Sequence, residues 1–218
     1  MIELDNVSYA YEKKLVLRRV NFRVDRGQCA FISGDNGTGK STLIRLVNGL
    51  YFPCAGRYLF ENAEITAERM KDKRFAKAFH QKIGYVWQNP EAQLFCASVE
   101  EEIAFGPRQM GLNEAETTRR VNDALELLGL LSLRHRAPYT LSGGEKKKTA
   151  IAAVLAMNPT VWTLDEPLNA LDKHSRAWLA EFLSELKKAG KTVVFSSHDR
   201  EAAEKLADIE LNLNEGHE

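Results

Sequence analysis

Eight consecutive residues, Gly34-Asp35-Asn36-Gly37-Thr38-Gly39-Lys40-Ser41, combine three glycines with an ammonium and two hydroxyls. Glycines let a backbone curl until successive N–H groups face one point, which suits an anion with several oxygens. A helix starting there adds the partial positive charge of its N-terminus. Gly34, Asn36, Gly37, Thr38, Gly39 and Thr42 are the candidate phosphate contacts. Lys40 would reach the β- and γ-phosphates, and the Ser41 hydroxyl would hold Mg2+. The pattern implies a nucleoside triphosphate as ligand.

The neighbouring residues supply the strand and helix this loop needs. Cys29-Ala30-Phe31-Ile32-Ser33 reads as a buried strand, and Thr42 to Leu50 carries Leu43, Leu46, Val47 and Leu50 at helical spacing. Farther on, Val161-Trp162-Thr163-Leu164 is an apolar strand ending in Asp165-Glu166. Carboxylates at that end lie on the sheet edge where open α/β sheets bind ligands. Asp165 suits Mg2+, held through water, and Glu166 suits proton acceptance from an attacking water. Leu141-Ser142-Gly143-Gly144-Glu145 opens a further helix; it is a second anion-binding terminus, or a plain N-cap at Ser142.

With 218 residues, 44% of them hydrophobic, one sizeable core or two unequal lobes can form. Thirty basic and thirty acidic residues cancel, which argues against a nucleic-acid partner. Charge runs at Arg134-His135-Arg136, Lys146-Lys147-Lys148 and Glu100-Glu101-Glu102 read as solvated faces. Three scattered cysteines, Cys29, Cys54 and Cys96, fit free thiols in a reducing compartment. The acidic N-terminus is unlike a signal peptide, so a soluble, cytoplasmic chain is expected.

Strands are predicted at 2–8, 15–24, 57–60, 83–87, 161–164, 192–196 and 209–213. Helices are predicted near 113–129, 144–157, 173–189 and 199–207, and residues 62–81 read as a polar surface excursion. One parallel α/β core with a helical insertion accounts for this order.

Leu-Ser-Gly-Gly between a phosphate loop and an Asp-Glu strand resembles the signature of ATP-binding cassette ATPases. The resemblance implies a P-loop NTPase (RecA-like) α/β core with an antiparallel β subdomain and a helical subdomain. Here residues 1–88 and 141–218 would form the core and 89–140 the helical part. It implies ATP and Mg2+ as ligands and a second ATPase subunit, identical or not, arranged head to tail. Ser142, Gly143 and Gly144 would then cap the γ-phosphate held by the partner's phosphate loop. Gln88 resembles the glutamine that meets Mg2+ and the attacking water; His198 resembles the switch histidine at the γ-phosphate. Tyr11 matches the aromatic that stacks on adenine, and Asp172 lies in the loop that crosses between subunits. Lys40, Gln88, Glu166 and His198 would be the catalytic set, with Ser41, Gln88 and Asp165 at the metal.

A narrower resemblance, to the energy-coupling factor importers of cobalt, nickel and vitamins, rests on Gln88 to Phe95 and Ser98 to Pro107. It implies a transmembrane coupling subunit contacted after Gln88, with Leu94 and Phe95 exposed, and a place on the cytoplasmic face of the membrane. Two departures stand out: the signature continues with Glu145 and Lys148 where glutamine and arginine are usual. Lysine lacks the planar fork of arginine, and glutamate adds negative charge near a phosphate-facing helix start. Two rival readings are a soluble cassette ATPase acting on nucleic acid or ribosomes and a weakly active regulatory subunit of an asymmetric pair.

Overall fold

Alternating side chains in the first 24 residues require a sheet buried on one face. In β1 (Ile2–Tyr11) the inward residues are Ile2, Leu4 and Val7; in β2 (Lys14–Val24) they are Leu17, Val20, Phe22 and Val24. The two strands pair antiparallel, and their register shifts between Leu4 and Val7 and again before Tyr9. Positive φ at Asn6 (51°) and Arg19 (45°) accompanies those shifts. The slip turns Leu17 rather than Val16 into the core, a change simple alternation does not anticipate. With β4 (Ala55–Phe60) and β5 (Ala63–Glu64) they form a four-stranded antiparallel sheet of order β2-β1-β4-β5. The computed structural model describes residues 1–169, 171–197 and 200–214.

A second sheet is wholly parallel, in the order β6-β7-β8-β3-β9. Its members are β3 (Cys29–Ser33), β6 (Ile83–Val86), β7 (Val161–Leu164), β8 (Thr192–Ser196) and β9 (Ile209–Asn212). Every residue of β3, β7 and β8 is buried, as expected of strands covered on both faces. Cys29 and Phe31 point into one apolar core, Ala30 and Ile32 into the other. Burial pushes the Cys29 thiol up to about 12, so it stays protonated.

One core is covered by α1 (Lys40–Val47), α2 (Lys73–Lys82) and the antiparallel sheet. The other is covered by α3 (Val99–Met110), α4 (Glu114–Leu127), α5 (Gly143–Met157) and α6 (Lys173–Lys188), with α7 (Arg200–Glu204) beside β3. The excursion expected at 62–81 contains β5 and α2. Asp72 caps α2 by accepting the Arg74 N–H, and only Phe79 of that helix is buried, which is why its pattern looks polar throughout. The insertion holds two helices where one was read. Ser98 caps α3 and Asn113 caps α4, and Gly129 (φ 66°) follows α4 in the left-handed region.

Two of the charge runs are not solvated faces. Three successive helical residues span about 200° of the helix circumference, so one of them turns inward when the helix packs. Glu102 is 4% exposed and Lys147 is 3% exposed. No helix among the described residues is long and apolar enough to cross a membrane.

Candidate functional site

The strand β3 delivers the chain into the glycine loop, and Gly39, at φ 102°, turns it into α1. A Cβ on Gly39 would lie 2.9 Å from Leu17 Cδ2 and 3.0 Å from Val16 Cγ1, so the turn tolerates no larger residue. At the other end of α1, Asn48 fixes the helix to β7. Its amide donates to Thr163 Oγ1 (2.8 Å) and to Ile44 O, and Thr163 also donates to Gly84 O. This buried network sets α1 against the strand that ends in Asp165 and Glu166.

It brings two side chains together: Ser41 Oγ donates to Asp165 Oδ1 at 3.0 Å. Ser196 Oγ donates to the same oxygen at 2.9 Å and accepts the Glu166 N–H at 2.9 Å. Ser196, at the end of β8, thus orients both acidic residues, yet nothing in its sequence setting singled it out. A hydroxyl beside a carboxylate is a hard-oxygen pair suited to Mg2+. No group of three or more His, Cys, Asp or Glu side chains gathers at one point among the described residues. A cation here would therefore complete its shell with phosphate oxygens and water.

Lys40 is buried, and its Nζ donates to Gly34 O (2.7 Å) and Asp35 O (3.0 Å). It also lies 3.7 Å from Glu166 Oε1. Glu166 occupies the left-handed region (φ 44°), a strained backbone for a residue with a side chain, of the kind found at functional sites. Cleft and charges meet here. A space of about 290 Å³ is bounded by Asn36, Gly37 and Gly39 of the loop and by Lys40, Ser41 and Thr42 of α1. Tyr11 and Val16 close it on the side of the antiparallel sheet, with Gln88 and Glu166 opposite. Tyr11 is 38% exposed, and its hydroxyl shares a 3.2 Å hydrogen bond with Thr42 Oγ1. Val16 reaches the cleft because of the register slip, and strand alternation hides that.

Gly34 and Thr38 sit behind this lining: Gly34 accepts from Lys40, and Thr38 Oγ1 donates to Asp35 O. Ser142, Gly143, Gly144 and Asp172 do not line it. Ser142 caps α5 in a reciprocal box, its N–H donating to Glu145 Oε2 (2.7 Å) while its hydroxyl accepts the Glu145 N–H. The Ser142 N–H, and then its side chain, hold the Glu145 carboxyl below its usual range. Asp172 caps α6 by accepting from Ser175. Gly144 lies against that same Ser175, whose Oγ would stand 3.6 Å from a Cβ at this position, so the starts of α5 and α6 adjoin. His198 lies outside the described residues.

Gln88 also borders a second space of about 340 Å³, together with Leu50, Tyr51, Trp87 and Ala92. Leu50 and Trp87 of this lining are exposed. Farther along the chain Phe95 is 67% exposed, with its ring edge-on to the exposed Phe105. Leu94 is half-buried. Glu102 accepts the N–H groups of Phe95 (2.9 Å) and Cys96 (2.7 Å), fixing the backbone that presents Phe95.

Residues 17–169 match the family model described as ABC transporter. The chain belongs to the ABC transporter family. This ABC ATPase is 42% identical over 218 residues to the nickel import ATP-binding protein LarO of Lactiplantibacillus plantarum, covering 100% of this chain and 90% of that protein. It is 42% identical over 217 residues to the energy-coupling factor transporter ATP-binding protein EcfA of Methanothermobacter thermautotrophicus, covering 99% and 68%. Among solved structures it resembles a dimeric ATP-binding cassette in a post-hydrolysis state with ADP and Pi, at TM-score 0.86 and 27% identity over 97% and 94% of the two chains. Like its relatives, this ABC ATPase binds and hydrolyses ATP to drive transport.

Proposed function

We propose that the chain is the ATPase subunit of an energy-coupling factor importer for metal ions or vitamins, working as one of two cassettes arranged head to tail. One observation carries the paired arrangement. Lys40, Ser41, Gln88 and Glu166 gather on one cleft, with Asp165 bonded behind Ser41, while Ser142, Gly143 and Gly144 stand elsewhere, at the start of α5. A second cassette turned about a two-fold axis would bring its own α5 start over the bound nucleotide. The Ser142 hydroxyl accepts a helix N–H and keeps its own proton to donate to a γ-phosphate oxygen. Glu145 leaves that arrangement intact because its carboxylate folds back onto the Ser142 amide.

Within the closed pair, adenine would stack on Tyr11 and the phosphates would follow the loop from Asn36 to Thr42. Lys40 would exchange its two carbonyl partners for phosphate oxygens. Ser41 and Asp165, with Gln88, would hold Mg2+, which supplies positive charge against the charge developing on the transferred phosphoryl group. Glu166 would take the proton from water as the water oxygen bonds to phosphorus and the bond to the ADP oxygen breaks. His198 is assigned to the γ-phosphate on the resemblance, and Asp172 to the passage between subunits.

Mixing two inactive variants tests the shared site. Lys40→Met removes the phosphate-loop ammonium, and Gly144→Asp puts negative charge at the α5 start. Each alone should be inactive. A mixture should recover up to about a quarter of the unsubstituted rate, because half of the pairs then carry one intact composite site. No recovery on mixing counts against the arrangement.

The membrane partner is assigned to the surface of the segment after Gln88. Phe95 is a large exposed apolar side chain on a backbone held by Glu102, which suits docking of a transmembrane coupling subunit on the cytoplasmic face of the membrane. Phe95→Ala should weaken that association by about 10-fold or more, consistent with about 1.5–3 kcal/mol for burying a phenylalanine. ATP turnover of the isolated chain should stay unchanged. Equal affinity of both proteins for the coupling subunit in detergent would remove Phe95 from the interface.

A further inference from the structure

Lys147 is the buried member of a run of three lysines, each with a different anchor. Lys146 pairs with Glu91 in the turn after Gln88. Lys148 places its ammonium 4.9 Å from the ring centre of Trp178 on α6. Lys147 Nζ donates to Trp87 O (3.2 Å) and Gln88 O (3.1 Å). The turn from Trp87 to Gln93 is held from the other side as well. Gln93 accepts the Trp87 N–H (2.9 Å) and donates to Tyr85 O at the end of β6, and Asn89 caps the turn through the Glu91 N–H.

We propose that Lys147 is a positioning residue that ties the Gln88 turn to the start of α5, so that the two move as one body. An ammonium has three donors and no acceptor, so it can gather two carbonyls that would otherwise be left facing each other without a proton between them. The carbonyls are consecutive, which fixes the direction of the Gln88 backbone and with it the place from which the side chain enters the cleft. The inference rests on the reading of Gln88 and of the paired cassettes given above. In the pair, the α5 start serves the nucleotide on the partner cassette, whereas Gln88 serves the nucleotide on its own. Lys147 joins them within a single chain, so closure over one nucleotide is felt at the other.

The test uses the full-length chain with Lys147→Met, Lys147→Gln and Gln88→Ala. Lys147→Met should lower kcat about tenfold while the ATP dissociation constant stays within about twofold, and the Hill coefficient for ATP should fall toward unity. Hydrogen exchange should accelerate in the peptide covering residues 87–93 and stay unchanged in residues 150–157 of α5. Lys147→Gln returns an amide with two N–H donors on a shorter, uncharged side chain and should recover about half of the lost rate. Should Lys147→Met not fold, Lys147→Gln alone decides, with an intermediate rate and intermediate exchange expected. Unchanged exchange at 87–93, or turnover within about twofold of the unsubstituted chain where Gln88→Ala has lost it, overturns the proposal. If Gln88→Ala leaves turnover intact, the assignment of Gln88 fails, whereas faster exchange at 87–93 in Lys147→Met still establishes the tie.

Discussion

Glu166→Gln is expected to bind ATP as tightly as the unsubstituted chain, or tighter, and to hydrolyse it about 10²- to 10⁴-fold more slowly, the range a positioned general base contributes. Its carboxylate is held by more than its neighbours' side chains. The Glu166 backbone has φ 44° and its N–H is bonded to Ser196 Oγ, so the side chain leaves the sheet edge in a set direction. Glutamine has the same shape and fits that backbone as well as glutamate does, so the substitution removes charge and basicity with little else. It also releases Lys40, whose Nζ lies 3.7 Å from the carboxylate. Binding is measured by equilibrium titration and turnover by steady-state phosphate release. Hydrolysis within about tenfold of the unsubstituted rate would assign the base elsewhere.

Lys40→Met should act on the other quantity. Hydrogen bonds to charged groups contribute about 1.5–3 kcal/mol each, and the ammonium must give up Gly34 O and Asp35 O to reach phosphate. A net loss of one such bond or more gives a dissociation constant for ATP about 10²-fold higher. The readout is thermal stability. ATP at a hundred times its dissociation constant stabilises a folded protein by about 2.7 kcal/mol, a shift the variant should lack at the same concentration. Because the variant places an apolar stem beside a buried carboxylate, its melting temperature without ATP should also fall. An unaltered ATP-induced shift would remove Lys40 from the phosphate site.

Much of this site could be read from the sequence because its parts are contiguous. A loop from Gly34 to Ser41 and an Asp165-Glu166 pair after an apolar strand each announce their chemistry in a few residues. What could not be read depends on partners distant in sequence. Ser196 matters only because β8 lies beside β7, and the Asn48–Thr163 bonds join positions 115 apart. Val16 faces the cleft although simple alternation with Val20, Phe22 and Val24 points it into the core, because alternation carries no information on a bulge. Lys147 and Glu102 were hidden by their neighbours: a run of like charges looks solvated, although a packed helix must turn part of it inward. In the segment 62–81 the single buried side chain of α2 left no period to detect. The two helices of the insertion were read as one because Gly106-Pro107 inside α3 has the look of a helix breaker.

One contact also bears on which anions the cleft favours. Glu166 beside the Lys40 ammonium, with two carbonyls around it, pairs that cation within the protein rather than leaving an open positive hole. A lone inorganic anion would have to outcompete a buried carboxylate for one cation. A triphosphate brings several oxygens that the loop amides can grip at once, so the same pairing that delays a small ion turns aside for the nucleotide.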